Sequence, residues 1–187
     1  MPHTIETALR LDLPDPAGSK LKRRIASDLG LKVDGIRVSD MFVIDRELTE
    51  ADLELLVSEV FRDPVIQDAA VDQPMNIPFD RLIEVGYRPG VTDNVGRTAR
   101  EAVERTLGIK FGPGEGLYTR RMYYLTGPLA GGEAERIASD LLANDLIQTS
   151  RIYYSGEPRD RVTVPKVTSA AKAEVASIDL NVDDDRL

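Results

Sequence analysis

Two segments of the sequence hold residue types that could bind a phosphate or another anion. Residues 112–116 are rich in glycine, as phosphate-cradling loops are, but a strand pattern follows them and no Gly-Lys-Ser/Thr sequence is present. This favours a hairpin or a loop insertion over a nucleotide site. Residues 90–97 do open a helix pattern, so their amides and the Arg97 guanidinium could hold an anion. We favour a strand-to-helix turn there, with Asp93 as the N-cap.

The densest group of aromatic and basic side chains lies near residue 120. It contains Tyr118, Arg120, Arg121 and Tyr123. Arginine and tyrosine are enriched at protein interfaces, so these four residues and Arg97 are the candidate interface. One face of a paired strand would explain the group equally well, and the two interpretations stay open.

The composition excludes most other catalytic chemistry. The absence of cysteine excludes disulfides, thiolate metal sites and a cysteine nucleophile. The single histidine, His3, stands at the N-terminus, where we expect a frayed chain rather than a catalytic triad or a metal site. Residues 183–185 are three consecutive aspartates, which rarely converge on one magnesium ion. We therefore expect no catalytic, cofactor-binding or metal-ligating residue in this chain.

Charge and hydropathy indicate the class of protein. The 187 residues include 24 Lys and Arg against 32 Asp and Glu, a net charge of −8, and 42% of them are hydrophobic. Such a chain is typical of globular domains, and its acidic balance argues against nucleic-acid binding. No apolar run reaches the ~18 residues of a membrane span, and the first residues lack a signal-peptide pattern. We expect a cytoplasmic protein that binds neither nucleic acid nor membranes.

The sequence contains two copies of one unit. Residues 15–19 align with 93–97 at an offset of 78, and residues 41–44 align with 122–125 at an offset of 81. In each copy the apolar spacing predicts the order strand, helix, strand, helix, strand. The predicted strands of the first copy include residues 5–13 and 65–71. In the second copy the first helix carries an apolar stripe formed by Val95, Ala99, Val103 and Leu107.

Helix ends carry their own signals in the first copy. Asp15 offers an N-cap with Pro16 at the first helical position, and Gly30 ends the predicted helix. Thr49 and Asp52 resemble a capping box at the start of the second helix.

We predict an α+β pseudodimer of the two units, each a sheet covered on one face by two helices. The first repeat spans 1–72, a connector 73–82, the second repeat 83–154 and an extended C-terminal linker 155–187. Two such units can pair about a pseudo-twofold axis, as in an isologous dimer. Asp40 and Arg121 occupy equivalent positions in the two middle strands, so we predict a contact between them near this axis.

Residues 83–100, Ile-Glu-Val-Gly-Tyr-Arg-Pro-Gly-Val-Thr-Asp-Asn-Val-Gly-Arg-Thr-Ala-Arg, resemble the N-terminal region of phosphoribosylformylglycinamidine synthase. That region is similar to two fused copies of the family's small, PurS-type subunit. Residues 15–18 match more loosely, whereas residues 63–67 and 144–148 are similar to the closing helix-to-strand segment. Residues 178–182 resemble the start of the linker that leads to the synthetase portion.

The resemblance implies an assembly role within an ATP-dependent, glutamine-using C–N ligase. The family makes formylglycinamidine ribonucleotide in purine biosynthesis, and a glutaminase releases the ammonia that a synthetase portion uses. Those two portions are the expected partners, and ATP and magnesium are expected in the synthetase. Because family members with fused repeats continue into the synthetase, we expect either a piece of a longer protein or a separate subunit. The alternative is a small-molecule-binding regulatory domain with its ligand site between the repeats.

Overall fold

The computed structural model describes residues 2–159 and 162–165 and has an α+β fold. Its strands are His3–Leu9 (β1), Gly35–Asp45 (β2), Gln67–Val71 (β3), Arg81–Tyr87 (β4), Gly116–Thr126 (β5) and Gln148–Tyr154 (β6). Its helices are Pro16–Leu29 (α1), Glu50–Leu56 (α2), Asn94–Leu107 (α3) and Glu133–Ile137 (α4). The π-helical segments Val57–Phe61 and Ala138–Leu142 continue α2 and α4. Every helix in the described ranges is too short or too polar to span a bilayer.

The six strands form one antiparallel sheet in the order β3-β1-β2-β5-β4-β6. Strands β2 and β5 lie at its centre and pair over their whole length, from Gly35 opposite Thr126 to Asp45 opposite Gly116. On each side of this central pair lies the first strand of a repeat, and the last strand of that repeat forms the edge. The two repeats therefore join edge to edge into a single sheet.

Different segments pack against the two faces of the sheet. On one face Ile36, Val85 and Leu125 pack beneath the helices. On the other face Met41 and Met122 belong to a third cluster, which the connector between the repeats covers together with Val162 and Val164. We call these the helical face and the strap face.

Each core on the helical face combines side chains of both repeats. Leu21 and Ile25 of α1 share one core with Ile137 of α4. Leu56 of α2 shares the other core with Val103 of α3. A separated repeat would leave both of its helices half covered, so the two repeats depend on each other for hydrophobic burial.

Both long helices begin in the same way, with an aspartate that also holds the middle strand. Asp15 Oδ1 accepts a hydrogen bond from Gly18 N and Asp15 Oδ2 accepts one from Val38 N, each 2.8 Å long. Asp93 makes the equivalent contacts to Gly96 N and Thr119 N, each 2.7 Å long. Each carboxylate caps a helix and docks it against the sheet. Residues 90–97 thus lead into α3 with Asp93 as the N-cap, as we favoured.

The glycine three residues after each aspartate lets the helix approach the middle strand. A Cβ atom on Gly18 would lie 2.1 Å from the Ile36 carbonyl oxygen. A Cβ atom on Gly96 would lie 2.8 Å from the Leu117 carbonyl oxygen. No side chain fits at either distance, so the Asp-x-x-Gly pattern in both copies has a structural cause.

Several of the predicted local features are present. Asp15 caps α1 with Pro16 in its first turn, and Gly30 ends the helix in the left-handed conformation. Thr49 and Asp52 form a reciprocal capping box at the start of α2. Residues 178–182 and 183–185 lie outside the described residues.

Several strand boundaries differ from the prediction. Strand β1 ends at Leu9 instead of residue 13, because the chain turns there and Leu13 N donates to the Arg10 carbonyl. The Arg37 guanidinium holds this turn by donating to the carbonyls of Leu9, Arg10 and Leu13. Strand β3 begins at Gln67 instead of 65, since residues 64–66 form a turn. Strand β4 begins at Arg81, two residues before the predicted start of the second repeat.

Two side chains also differ from the prediction. Val95 is 60% exposed and lies outside the buried stripe of α3, because Gly96 and Val103 are the residues of that helix that face the sheet and the core. His3 belongs to β1 and is not frayed, since its Nδ1 lies 2.7 Å from Asp72 Oδ2.

We predict that Gly18→Ala destabilises the protein by about 1–3 kcal/mol, because the added methyl forces α1 away from β2. Urea unfolding measures the change. Gly131→Ala is the matched control, because a Cβ there would have open space around it, and we expect its effect to stay within about 0.5 kcal/mol. Equal stability of the two variants would contradict the close-approach explanation.

Candidate functional site

The candidate interface residues lie on different surfaces of the protein. Successive side chains of a strand point to opposite faces, so Tyr118 and Arg120 of β5 lie on the strap face. Arg121 and Tyr123 lie on the helical face and line a groove there. Arg97 is exposed in the first turn of α3. The structure therefore brings Arg121 and Tyr123 together in this groove, whose lining also includes Arg120, whereas Tyr118 packs on the opposite face.

Asp40 and Arg121 meet at the middle of the central strand pair. They stand opposite each other in the register of β2 and β5. Arg121 Nε donates to Asp40 Oδ1 over 2.9 Å, so the contact expected from the repeat is present. The side chains are 55% and 50% exposed for Arg121 and Asp40, respectively.

The ion pair stands at a position where two identical units could not carry opposite charges. Its two residues are 81 positions apart, which is the offset between the repeats in this part of the chain. In a dimer of identical units, such a position would face its own copy and two like charges would meet. A single chain that carries both strands can place an acid opposite a base.

Arg121 also couples to the neighbouring Tyr123. Burial by itself lowers the pKa of Arg121. The hydrogen bond to Asp40 and the charge of that carboxylate raise the pKa by more than burial lowers it, so the net shift is upward. Burial raises the pKa of Tyr123, and the Arg121 charge opposes part of that shift. Both side chains keep their ordinary ionisation states at neutral pH.

The ion pair lies in a groove of about 370 Å³ between the start of α3 and the end of the π-helical segment that continues α4. Val95 and Leu142 stand on its two sides. Its lining also includes Phe42, Val85, Tyr87, Thr119, Tyr123 and Gln148. Aromatic and aliphatic side chains around a half-exposed arginine are typical of an interface anchor. We call this feature the central groove.

The strap face buries two carboxylates that the sequence analysis did not identify. Glu6 accepts hydrogen bonds from Ser39 Oγ at 2.5 Å and from the Tyr124 hydroxyl. Burial and the neighbouring Glu6 raise the pKa of Tyr124, which keeps this hydroxyl a donor.

Glu84 is the second buried carboxylate and stands 78 positions after Glu6, at the equivalent place in the second repeat. It accepts hydrogen bonds from Arg120 Nη1 and, at 3.3 Å, from the Tyr153 hydroxyl. The only sequence signal was a glutamate within an apolar strand at the same place in both copies. Since their hydrogen bonds lie within the fold, both carboxylates have a structural role.

The remaining candidate segment forms a closed turn. Glu115 Oε2 accepts hydrogen bonds from Gly112 N and from Arg46 Nη1, each 2.6 Å long. The turn leads directly into β5, as expected for a loop insertion. Across the described residues, no group of three or more His, Asp and Glu side chains could hold a metal ion.

We predict that Asp40→Arg destabilises the protein by about 1 kcal/mol, because it places two guanidiniums side by side at the central pair. The double exchange Asp40→Arg with Arg121→Asp should recover most of that loss. Urea unfolding of the four proteins in a double-mutant cycle measures the coupling, which should shrink at high salt. Additive effects of the two exchanges would contradict a direct interaction.

Comparison with models of known protein families and with curated protein sequences gives no match for this chain. The likeness of residues 83–100 to phosphoribosylformylglycinamidine synthase therefore stays an expectation from sequence. The support for a function comes from the central groove and from the way in which the two repeats combine.

Proposed function

We propose that this chain is a non-catalytic assembly module of phosphoribosylformylglycinamidine synthase. In this proposal it bridges the glutaminase and the ATP-dependent synthetase in the cytoplasm, as a tandem PurS-like pseudodimer. The observation that carries the proposal is the sharing of both helical cores between the repeats. A dimer of small α+β units can share its cores in this way, and a chain that carries both units would keep the shared cores.

Two further features support the pseudodimer. The strand order is the same on either side of the β2–β5 pair, and the residues at the middle of that pair are equivalent in the repeat. Asp15 and Asp93 also dock their helices onto the middle strands with matching hydrogen bonds. Both features follow from a twofold relation between the units.

A rigid adaptor suits the chemistry of the proposed ligase. Ammonia that escapes into water is lost or protonated, so a glutaminase and a synthetase must be held in a sealed arrangement. One continuous six-stranded sheet gives such a spacer, and Arg121 and Tyr123 in the central groove offer anchors for a partner. ATP and magnesium would bind in the synthetase portion.

The central groove also distinguishes this proposal from a regulatory domain with a ligand between the repeats. A ligand site needs polar groups that converge on the ligand. In the groove, Arg121 instead binds Asp40, so the two charges largely neutralise each other. This favours a protein partner over a small charged ligand at this place.

We predict that the two repeats are interdependent. If the chain is divided between Asp72 and Gln73, neither half alone should give a cooperative unfolding transition as a monomer, because each lacks half of both helical cores. An equimolar mixture should regain the far-UV circular dichroism of the intact chain and elute as a 1:1 complex. Cooperative unfolding of either half as a monomer would contradict the shared cores.

Reconstitution tests the assembly function. The full chain is mixed with a separately produced synthetase portion and a glutaminase, and glutamine-dependent amidine formation is followed. We expect activity only when all three are present. Equal activity without this chain would overturn the proposal.

Alanine variants then locate the partner surface. Arg121→Ala and Arg97→Ala should each weaken assembly by about 1–3 kcal/mol, because interface arginines often carry that much binding energy. Arg105→Ala is the matched control, since it removes an exposed arginine near the other end of α3. Circular dichroism checks that all three variants fold, and unchanged affinity in both test variants would exclude these anchors.

A further inference from the structure

The helices α1 and α3 occupy equivalent places in the two repeats, but α1 lacks a carboxylate that α3 carries. Glu104 lies in the last turn of α3, and its counterpart 78 positions earlier is Ala26, which is exposed. Both helices end at a glycine in the left-handed conformation, Gly30 with φ 68° and Gly108 with φ 66°. The segments that follow the two helices can therefore be compared residue by residue.

In the second repeat this carboxylate joins the helix to the segment that follows it. Glu104 Oε2 accepts a hydrogen bond from Lys110 Nζ over 2.7 Å. Its Oε1 accepts one from Phe111 N over 3.0 Å and one from Arg100 Nε over 3.3 Å. The bonds from Lys110 and from the Phe111 amide lower the pKa of Glu104 to about 2. These donors therefore form a place that fits an ionised carboxylate.

In the first repeat the equivalent donors are present and the acceptor is absent. Lys22 and Lys32 replace the two basic residues, and Val33 replaces Phe111. The Val33 N–H has no hydrogen-bond partner within the described residues, although Val33 is only 2% exposed. A buried amide without an acceptor is unfavourable. A carboxylate held beside Ala26 would supply the missing acceptor.

Acidic residues of α1 and of the segment after it do not occupy this place. Lys22 Nζ donates to the carbonyl oxygen of Asp34 over 2.6 Å, whereas the Asp34 carboxylate lies beside the glycine that follows β5. Asp28 pairs with Arg24 over 3.6 Å. In the part of the chain that the structure describes, neither Lys22 nor Lys32 forms an ion pair with a carboxylate.

The acidic residues that α4 and its π-helical continuation bring near α1 have contacts of their own. Asp140 lies 3.7 Å from Arg136. Glu133 accepts a hydrogen bond from a backbone amide of the preceding loop, and Glu135 accepts one from the tyrosine hydroxyl at the end of β6. Residues 20–34 themselves contain five basic and two acidic residues, in a chain of net charge −8. The outer side of α1 is therefore complementary to an acidic surface.

We propose that Lys22, Lys32 and the Val33 amide bind a glutamate or aspartate side chain of a partner protein. The partner's carboxylate takes the place beside Ala26 that Glu104 occupies in the second repeat. We call this place the carboxylate site. It is an open surface, because Ala26 and both lysines are exposed. Small-molecule sites are concave, whereas an acid carried on a protein surface needs no pocket.

The carboxylate site is separate from the central groove, whose lining includes no residue of α1. The proposal therefore does not rest on the assembly function proposed above, and it can be tested without the other portions of a ligase.

A first test places the carboxylate within the chain. In Ala26→Glu the introduced carboxyl group can accept hydrogen bonds from Lys32 Nζ and Val33 N. We expect the melting temperature at pH 7 to rise by about 2–4 °C, the shift that one such bond gives in a chain of this size. The pKa of the introduced carboxyl, measured by NMR, should lie below its ordinary value of about 4.3. Because that pKa is lowered, the gain should be present above pH ~4.3 and disappear as the pH falls through the lowered pKa.

Ala26→Gln is the matched control, because it adds a side chain of the same size without the charge. It should raise the melting temperature less than Ala26→Glu does. Combining Ala26→Glu with Lys32→Gln should return the pKa of the introduced carboxyl toward its ordinary value. An ordinary pKa in Ala26→Glu itself, or an equal rise of the melting temperature in both Ala26 variants, would overturn the carboxylate site.

A peptide probe tests binding from outside the chain. Acetyl-Ala-Glu-Ala-Ala-Ala-Glu-Ala-amide carries two acids, so that one can enter the carboxylate site while the other reaches Arg23, which is exposed on the same side of α1. It is titrated into the full chain at constant ionic strength, and the NMR signals of the Lys32 and Val33 amides are followed. We expect saturable shifts and an affinity at least about tenfold weaker in Ala26→Glu, whose own carboxylate fills the site.

The same peptide with glutamine in place of both glutamates should give no saturable shift. Equal binding of the two peptides, or equal affinity of the original chain and Ala26→Glu for the acidic peptide, would overturn the proposal. Acetate should bind at least about tenfold more weakly than the acidic peptide at the same carboxylate concentration. Acetate binding as tight as that of the peptide would assign the site to small carboxylates and overturn the choice of a protein partner.

Discussion

The pairing of β2 with β5 is the constraint on which the rest of the structure depends. It joins two small sheets into one, and it removes the exposed edge that each repeat would otherwise present. Because the joined sheet is continuous, α1 lies beside α4 and α3 lies beside α2 across the boundary between the repeats. Edge pairing, helix burial and the central groove are therefore consequences of one contact.

A single chain gives this arrangement a freedom that a dimer of identical units lacks. In such a dimer every substitution occurs twice, and a position on the axis always faces itself. Here Asp40 can face Arg121, and Arg120 can replace the serine found at its counterpart, Ser39. The two halves have kept the same order of strands and helices while some of their polar groups at equivalent positions differ.

The sequence by itself determined the repeat, the order of elements and the helix ends. Those features depend on local physics: apolar spacing, capping side chains such as Asp15 and Thr49, and the glycine that ends α1. It also predicted the contact of Asp40 with Arg121 from their equivalent positions in the two copies, and the register of β2 with β5 places these two residues opposite each other.

Only the tertiary structure decided where strands end, which helices share a core and which polar groups are buried. Alternation continued to residue 13, but Arg37, distant in sequence, holds the turn that ends β1 at Leu9. The burial of Glu6 and Glu84 depends on the connector and on residues 162–165 crossing the strap face. Such contacts join segments far apart in the chain, so local periodicity carries no information about them.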